Sequence, residues 1–313
     1  MIQVVRGWRG LPPEQRGAAV AIGAFDGVHR GHQAVIADAR EAAARLGVPL
    51  AVVSFDPHPP PWFHPDPAPF RLVTPDQMAR ALESLGVDRL YLLPFDGEMA
   101  AMTDEQFARD VLGDGIGIRH AAVGFDFTFG KGRTGSPDAL RHYGETAGFT
   151  VSVAERLDDA DGLKLSSWAV REALKAGDMA RAAAILGRPF AIAGEVIHGD
   201  KRGRTIGIPT ANIAMGDYMR PAYGVYATRT RLPDGRVVDG VANLGVRPMY
   251  PTDDPLLEVW LFDFSEDLYG QTVETELVAF LRGEMKFDGL DALKVQIGQD
   301  AANARTALAQ SPS

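Results

Sequence analysis

The feature that most constrains this chain is a change of texture that begins near Leu165 and sets a domain boundary at Gly187-Arg188-Pro189. Before it, apolar runs of strand length alternate with helical patterns. Ala19–Gly23, Leu50–Phe55, Tyr91–Pro94 and Ala121–Phe125 read as buried strands. Gln33–Leu46, Pro75–Leu85, Thr103–Leu112 and Ser136–Tyr143 read as helices, with Gly47 and Gly86 as stops and Thr74 and Ser136 as caps. Such alternation predicts a parallel sheet with helices on both faces. Two short helices follow, Trp168–Ala176 and Met179–Leu186, closed by Gly177 and Gly187. Beyond Pro189 the pattern is mostly β. Phe190–Ile197, Gly224–Leu232, Val237–Leu244, Leu257–Phe264 and Thr272–Leu281 are five strand candidates, with a turn signal at Pro233-Asp234-Gly235. They predict a small antiparallel barrel, and Leu290–Ala309 adds a terminal helix. Two domains are expected, residues 1–187 and 188–313, α/β followed by β.

Charge then narrows the function. Thirty-two Lys and Arg face 41 Asp and Glu, a net charge of −9. A general nucleic-acid binder carries a basic excess, so no nucleic-acid partner is expected, and any phosphate site is a local pocket. The absence of cysteine excludes a disulfide framework, a thiolate metal site and a Cys nucleophile. No apolar run is long enough to span a bilayer, and the stretch from Met1 to Gly10 lacks an apolar signal region. The reading is a cytoplasmic protein with no membrane partner, a monomer or weak homo-oligomer.

Three glycine-rich segments carry the chemistry. In Gly23-Ala24-Phe25-Asp26-Gly27-Val28-His29-Arg30-Gly31-His32, a strand gives way to a helix. Its glycines admit close backbone approach to a phosphate, and the free N–H groups of the helix start point at it. His29 and His32, three apart, reach the same group and can hydrogen-bond charge developing on a leaving pyrophosphate. A simple loop and helix cap fits the same residues, and metal ligation lacks a second cluster of suitable spacing. Gly130-Lys131-Gly132-Arg133-Thr134-Gly135 matches G-x-G-x-x-G. It falls late in the sheet and carries two cations, which suits a terminal phosphate better than a dinucleotide. Ser166 or Ser167 can cap the helix after Leu165, with Arg171 one turn in.

The third segment runs from Gly194 to Asn212. Gly199, Gly203 and Gly207 interleave with Lys201, Arg202 and Arg204, a cationic loop able to close over a triphosphate. Thr210 and Asn212 offer the hard oxygen donors that Mg²⁺ takes. A solvated basic hairpin is the plainer alternative. Asn243 and Arg247 add an amide and a cation at a strand end. Glu258, Trp260 and Phe262 share one strand face, where a carboxylate beside aromatics can act as general base on a hydroxyl.

Taken in order, GAFDGVHRGH (23–32), SFDPHP (54–59), GFDFTFGKGRTG (124–135), LSSWAVR (165–171), the 194–213 segment, NLGVRP (243–248), LEVWLFDF (257–264) and KFDGLDALKVQI (286–297) resemble the prokaryotic bifunctional riboflavin kinase/FMN adenylyltransferase family, the FAD synthetases. The resemblance covers nearly the whole chain. It implies an N-terminal Rossmann-like nucleotidyltransferase domain that joins FMN to the α-phosphorus of ATP. It also implies a C-terminal six-stranded antiparallel barrel that phosphorylates riboflavin. By motif, Gly23, Phe25, Asp26, His29, Gly31, His32, Ser166, Ser167 and Arg171 would bind ATP and its phosphates. Asp126, Phe127, Phe129, Asn243 and Arg247 would contact flavin. Glu258 would be the kinase base, with Thr210 and Asn212 at Mg²⁺.

Three positions depart from the family pattern: Trp168 where a Thr is usual, Met249 where another Thr is usual, and Trp260 where His is frequent. They keep open a kinase with an impaired adenylyltransferase half, and a flavin-binding protein without catalysis.

Overall fold

A computed structural model of the chain describes residues 1–59, 69–159, 162–198, 208–246 and 255–311. It forms two compact units, residues 1–67 with 75–166, and residues 68–74 with 167–313.

In the first unit, β1 (Gln3–Arg6), β2 (Ala19–Ile22), β3 (Leu50–Asp56), β4 (Arg89–Pro94), β5 (His120–Gly124) and β6 (Thr150–Ala154) form one sheet. Its order is β1-β4-β3-β2-β5-β6, and every pairing is parallel. All four residues of β2 are buried, as expected of a strand covered on both faces. The edge strands β1 and β6 escape the sequence reading because each buries a single residue, Val5 and Ala154. The chain crosses from β2 through α1 (Arg30–Leu46) to β3 on one side, while β5 lies on the other. Strand order therefore reverses at β2, and ligands of open α/β sheets bind beyond the strand ends at such a reversal. The segments leaving that edge begin at Gly23, after β2, and Phe125, after β5.

Helix α1 buries Val35, Ile36, Ala39, Ala42 and Ala43 and ends at Gly47, whose φ of 64° suits the left-handed cap. It starts at Arg30, earlier than the expected Gln33, because His29 caps it. Next come α2 (Pro75–Ser84), α3 (Gly97–Ala101) and α4 (Asp104–Gln106). The helix expected over Thr103–Leu112 opens with a capping box between Thr103 and Gln106, then widens into π-helical turns over Phe107–Ile116. Packing explains part of this segment: a Cβ on Gly115 would stand 2.8 Å from the Trp8 ring. Helix α5 (Pro137–Ala147) is capped by Ser136, with Pro137 in the first turn.

The second unit carries α6 (Ser167–Lys175) and α7 (Met179–Leu186) ahead of a barrel. The barrel strands are β7 (Phe190–Ile197), β8 (Ala211–Ala214), β9 (Gly224–Arg231), β10 (Val237–Gly245), β11 (Leu256–Leu261) and β12 (Thr272–Gly283). They close antiparallel in the order β10-β11-β8-β7-β12-β9. Six strands match what the resemblance implied; the missing one in the residue-level reading was β8, four residues long. Leu244, Leu257 and Ile213 lie side by side across β10, β11 and β8 and are fully buried inside. The strand expected over Leu257–Phe264 stops at Leu261, and Asp263 turns the chain with φ 54°. Phe262 is therefore off the strand that carries Glu258.

Helix α8 (Leu290–Gln310) lies on the outer barrel face, with Ala301, Ala304 and Leu308 against Val225, Ala227 and Val241. Two arginines tie it down. Arg282 grips Asp300 with two hydrogen bonds of 2.9 and 2.6 Å. Arg229 donates to the carbonyls of Leu308 and Ser311, both at 2.9 Å, where a cation meets the negative helix end.

Candidate active site

The turn after β2 is wound tightly. Phe25 and Val28 are buried non-glycine residues with φ of 49° and 45°. Such conformations cost about 1–3 kcal/mol each and persist where the surroundings enforce them. Here the Val28 N–H donates to the Phe25 carbonyl at 3.0 Å, and Ser54 Oγ donates to the Ala24 carbonyl at 2.9 Å. The turn delivers His29 to the cap of α1, where its Nδ1 accepts the His32 N–H at 3.3 Å. That leaves the His29 Nε2 as a donor.

The His29 and His32 rings stack at 3.6 Å, and Phe25 leans on His32 at 4.9 Å. His32 Nδ1 is buried and has no hydrogen-bond partner among the described residues. Burial foremost, then the charges of His29, His58 and Lys164, hold the His32 imidazole well below its ordinary range. At neutral pH this ring is an uncharged hydrogen-bonding group. Gly31 is required by close approach: a Cβ there would stand 2.8 Å from the Leu165 carbonyl oxygen and 3.1 Å from the His29 ring. Asp26 is buried at the same turn, and the Gly23 N–H donates to the Val53 carbonyl at 3.2 Å. The neutral His32 ring and the His29 Nε2 donor, set at a helix start, form a candidate phosphate seat.

The segment after β5 borders this edge of the sheet. Asp126 is exposed and holds the Lys164 ammonium, which also sits 4.8 Å from the Phe125 ring centre. Phe127 is half-buried and stacks on Phe129 at 5.3 Å. Phe129 itself is only 8% exposed, packed against Phe107 in the core, so the structure gives it a packing role. The exposed aromatic of the segment is Phe125. Ser166 ends the first unit and Ser167 opens α6 in the second. Arg171, on α6, donates from Nε to the Phe70 carbonyl at 2.9 Å. Trp168 is 69% exposed.

The barrel builds its site by register. Asn243 on β10 pairs with Glu258 on β11, which pairs with Asn212 on β8. Directly paired residues share a face, so two amides flank one carboxylate in a single cross-strand row. Asn212 is buried, Glu258 half-buried and Asn243 exposed, so exposure rises along the row. A cleft of about 410 Å³ lies on the other face of these strands, lined by Thr210, Ala211, Val259, Leu261, Phe264 and Tyr269 among others. Trp260 shares the Glu258 face but packs edge-on to Phe262 at 5.6 Å beneath α8. Gly199, Lys201, Arg202, Gly203, Arg204, Gly207, Arg247 and Met249 lie outside the described residues. Among the described residues no group of three or more His, Asp or Glu side chains is placed to hold a metal.

Residues 11–169 match the family model for FAD synthetase, and residues 186–308 the one for riboflavin kinase. A bifunctional riboflavin kinase/FMN adenylyltransferase of Pseudomonas fluorescens is 45% identical over 311 residues, covering 99% of each chain. Its counterpart in Escherichia coli K12 is 39% identical over 305 residues, covering 97% of each. The chain belongs to the bifunctional riboflavin kinase/FMN adenylyltransferase family. A crystal structure from Streptococcus pneumoniae, named as a macrolide-efflux protein, covers 97% of this chain and 99% of its own at 30% identity, with a TM-score of 0.85. In the present chain no helix among the described residues is long and apolar enough to cross a membrane.

Within this family member, sequence reasoning singled out neither Lys164 nor His58, although both charges are felt at His32. His58 stood inside a quoted motif. Lys164 stood one residue before one and carried no signal of its own.

Proposed function

We propose that the chain phosphorylates riboflavin to FMN in its barrel half and adenylylates FMN to FAD in its α/β half. The functional boundary is drawn after Gly187, and the enzyme is placed in the cytoplasm as a monomer or weak homo-oligomer. One observation carries the reading: the FAD synthetase model matches residues 11–169 and the riboflavin kinase model residues 186–308, one in each half.

In the kinase half, Glu258 takes the proton of the riboflavin 5′-hydroxyl as that oxygen attacks the γ-phosphorus of ATP and ADP departs. Asn243 and Asn212, level with Glu258, hold the carboxylate and the substrates in line. The cleft beside Thr210 takes the nucleotide. Thr210 and Asn212 are hard, neutral oxygen donors, and Asn212 is buried next to a carboxylate, a donor set that suits Mg²⁺ bound mainly through phosphates. When bound, Mg²⁺ draws charge from the triphosphate.

In the α/β half, a phosphate oxygen of FMN attacks the α-phosphorus of ATP and pyrophosphate leaves. His29 and His32, with the first N–H groups of α1, hydrogen-bond the oxygens on which charge builds. Asp126 and Phe127 face the flavin nucleotide. No covalent nucleophile is needed, because positioning and charge neutralisation supply the rate.

The test is a product assay on the purified full chain with ATP and Mg²⁺, given riboflavin in one arm and FMN in the other. Chromatography should show FMN and then FAD in the first arm and FAD in the second. Unchanged riboflavin together with unadenylylated FMN would overturn the reading.

A further inference from the structure

His29 and His32 supply hydrogen bonds, but the buried, neutral His32 ring does not balance the charge of a flavin phosphate brought against a triphosphate. A cation has to arrive from elsewhere. Lys164 is one of the charges felt at His32, after those of His29 and His58. Its backbone is well anchored. Lys164 pairs backbone to backbone with Asp158, and the next residue, Leu165, donates its N–H to the Leu157 carbonyl at 2.9 Å. The Leu165 carbonyl is pressed against Gly31, in the first turn of α1. The root of the Lys164 side chain is thus fixed beside the candidate phosphate seat, while the side chain as a whole is 36% exposed.

The ammonium is occupied by two weak holders. Asp126 pairs with it, but that carboxylate is 56% exposed and water-screened. The Phe125 ring faces it at 4.8 Å, and that ring is itself 42% exposed. A phosphate dianion offers more charge and more acceptor oxygens than either.

Resting on the adenylyltransferase reading above, we propose that Lys164 is a substrate-phosphate ligand of the α/β half, parked on Asp126 and Phe125 until a phosphate arrives. On binding, the ammonium exchanges the Asp126 carboxylate for a phosphate oxygen. The released Asp126 and the uncovered Phe125 ring then face the flavin side of the same pocket. The ligand chemistry is a phosphomonoester or polyphosphate, from FMN or from ATP.

Steady-state FAD formation by the full chain tests this with Lys164→Met and Lys164→Arg, varying FMN and ATP in separate arms. Loss of one charge-assisted contact predicts that Lys164→Met raises the KM for one of the two substrates about tenfold, with kcat changed less. The arm that moves identifies the phosphate. Lys164→Arg should restore most of the affinity, which a purely structural role would not require. Riboflavin phosphorylation by the same preparations should be unchanged, which controls for folding. If wild type makes FAD and Lys164→Met keeps both KM values within about twofold, the exchange does not occur. If Lys164→Arg is as impaired as Lys164→Met, charge is not what Lys164 supplies. A wild type that makes no FAD from FMN would sink the adenylyltransferase reading and this inference with it.

Discussion

The candidate sites of the two halves are built by opposite constructions. The α/β half concentrates its site in one local stretch, where a turn held by Phe25 and Val28 at positive φ hands two histidines to the start of α1. The barrel half spreads its site over three strands, and Asn243, Glu258 and Asn212 meet only because β10, β11 and β8 pair in one register. A site of the first kind depends on backbone strain and burial. A site of the second kind depends on alignment between distant segments. The two should therefore fail independently.

The largest expected effect comes from the barrel. Glu258→Gln keeps the shape of the row but removes the base, and should lower FMN formation by about 10²–10⁴-fold. FAD formation from supplied FMN should stay within about twofold, since the row belongs to the other half. Loss of both activities would break the picture of separate sites. Next, His29→Ala removes a ring stacked on His32 and the cap of α1. It should cut FAD formation by about 10²-fold through lost phosphate hydrogen bonding while sparing the kinase. An unchanged FAD rate would take His29 out of the mechanism.

Gly31→Ala sharpens the comparison further. Its methyl group would press on backbone, the Leu165 carbonyl at 2.8 Å, which has little freedom to give. The expected cost is about 1–3 kcal/mol, seen as a lower melting temperature and weaker FAD formation, with FMN formation retained. An equal loss in both activities would mean that the damage is not local.

The smallest effect is on pH dependence. His32 is held below its ordinary range mainly by burial, so the unfolded chain binds its proton more readily than the folded one. The stability tied to its neutral form is present above the unfolded pKa of about 6.5 and is lost as pH falls toward the folded value. Thermal unfolding of the full chain should therefore shift downward on acidification below about pH 6, and His32→Gln should flatten that slope. A slope identical in the variant would show that other groups set the acid limit.

How much of this was legible in the sequence follows from the same contrast. H-x-G-H could be read directly, because spacing along a helix start places both rings on one group. The parallel sheet was legible from its buried central strands, while β1 and β6 were not, since an edge strand that buries one residue leaves no apolar run. In the barrel, Glu258 and Asn212 were each marked as candidates, yet nothing linear shows that they are neighbours; that is a fact of pairing. Phe129 looked like a flavin contact from its motif, but an aromatic run does not disclose which ring turns inward, and this one meets Phe107. Lys164 carried no signal because its relation to Asp126 and His32 exists only after folding.

The cross-strand row also decides where this chain can grow and where it cannot. Side chains on β11 alternate between barrel interior and outer face, so inserting a single residue within that strand ahead of Glu258 would rotate the carboxylate inward and bring a leucine or valine out in its place. Extra residues in the connections before Leu256 or after Leu261 carry no such penalty. Length variation among sequences of this kind should therefore collect in the links and stop abruptly at the strand ends.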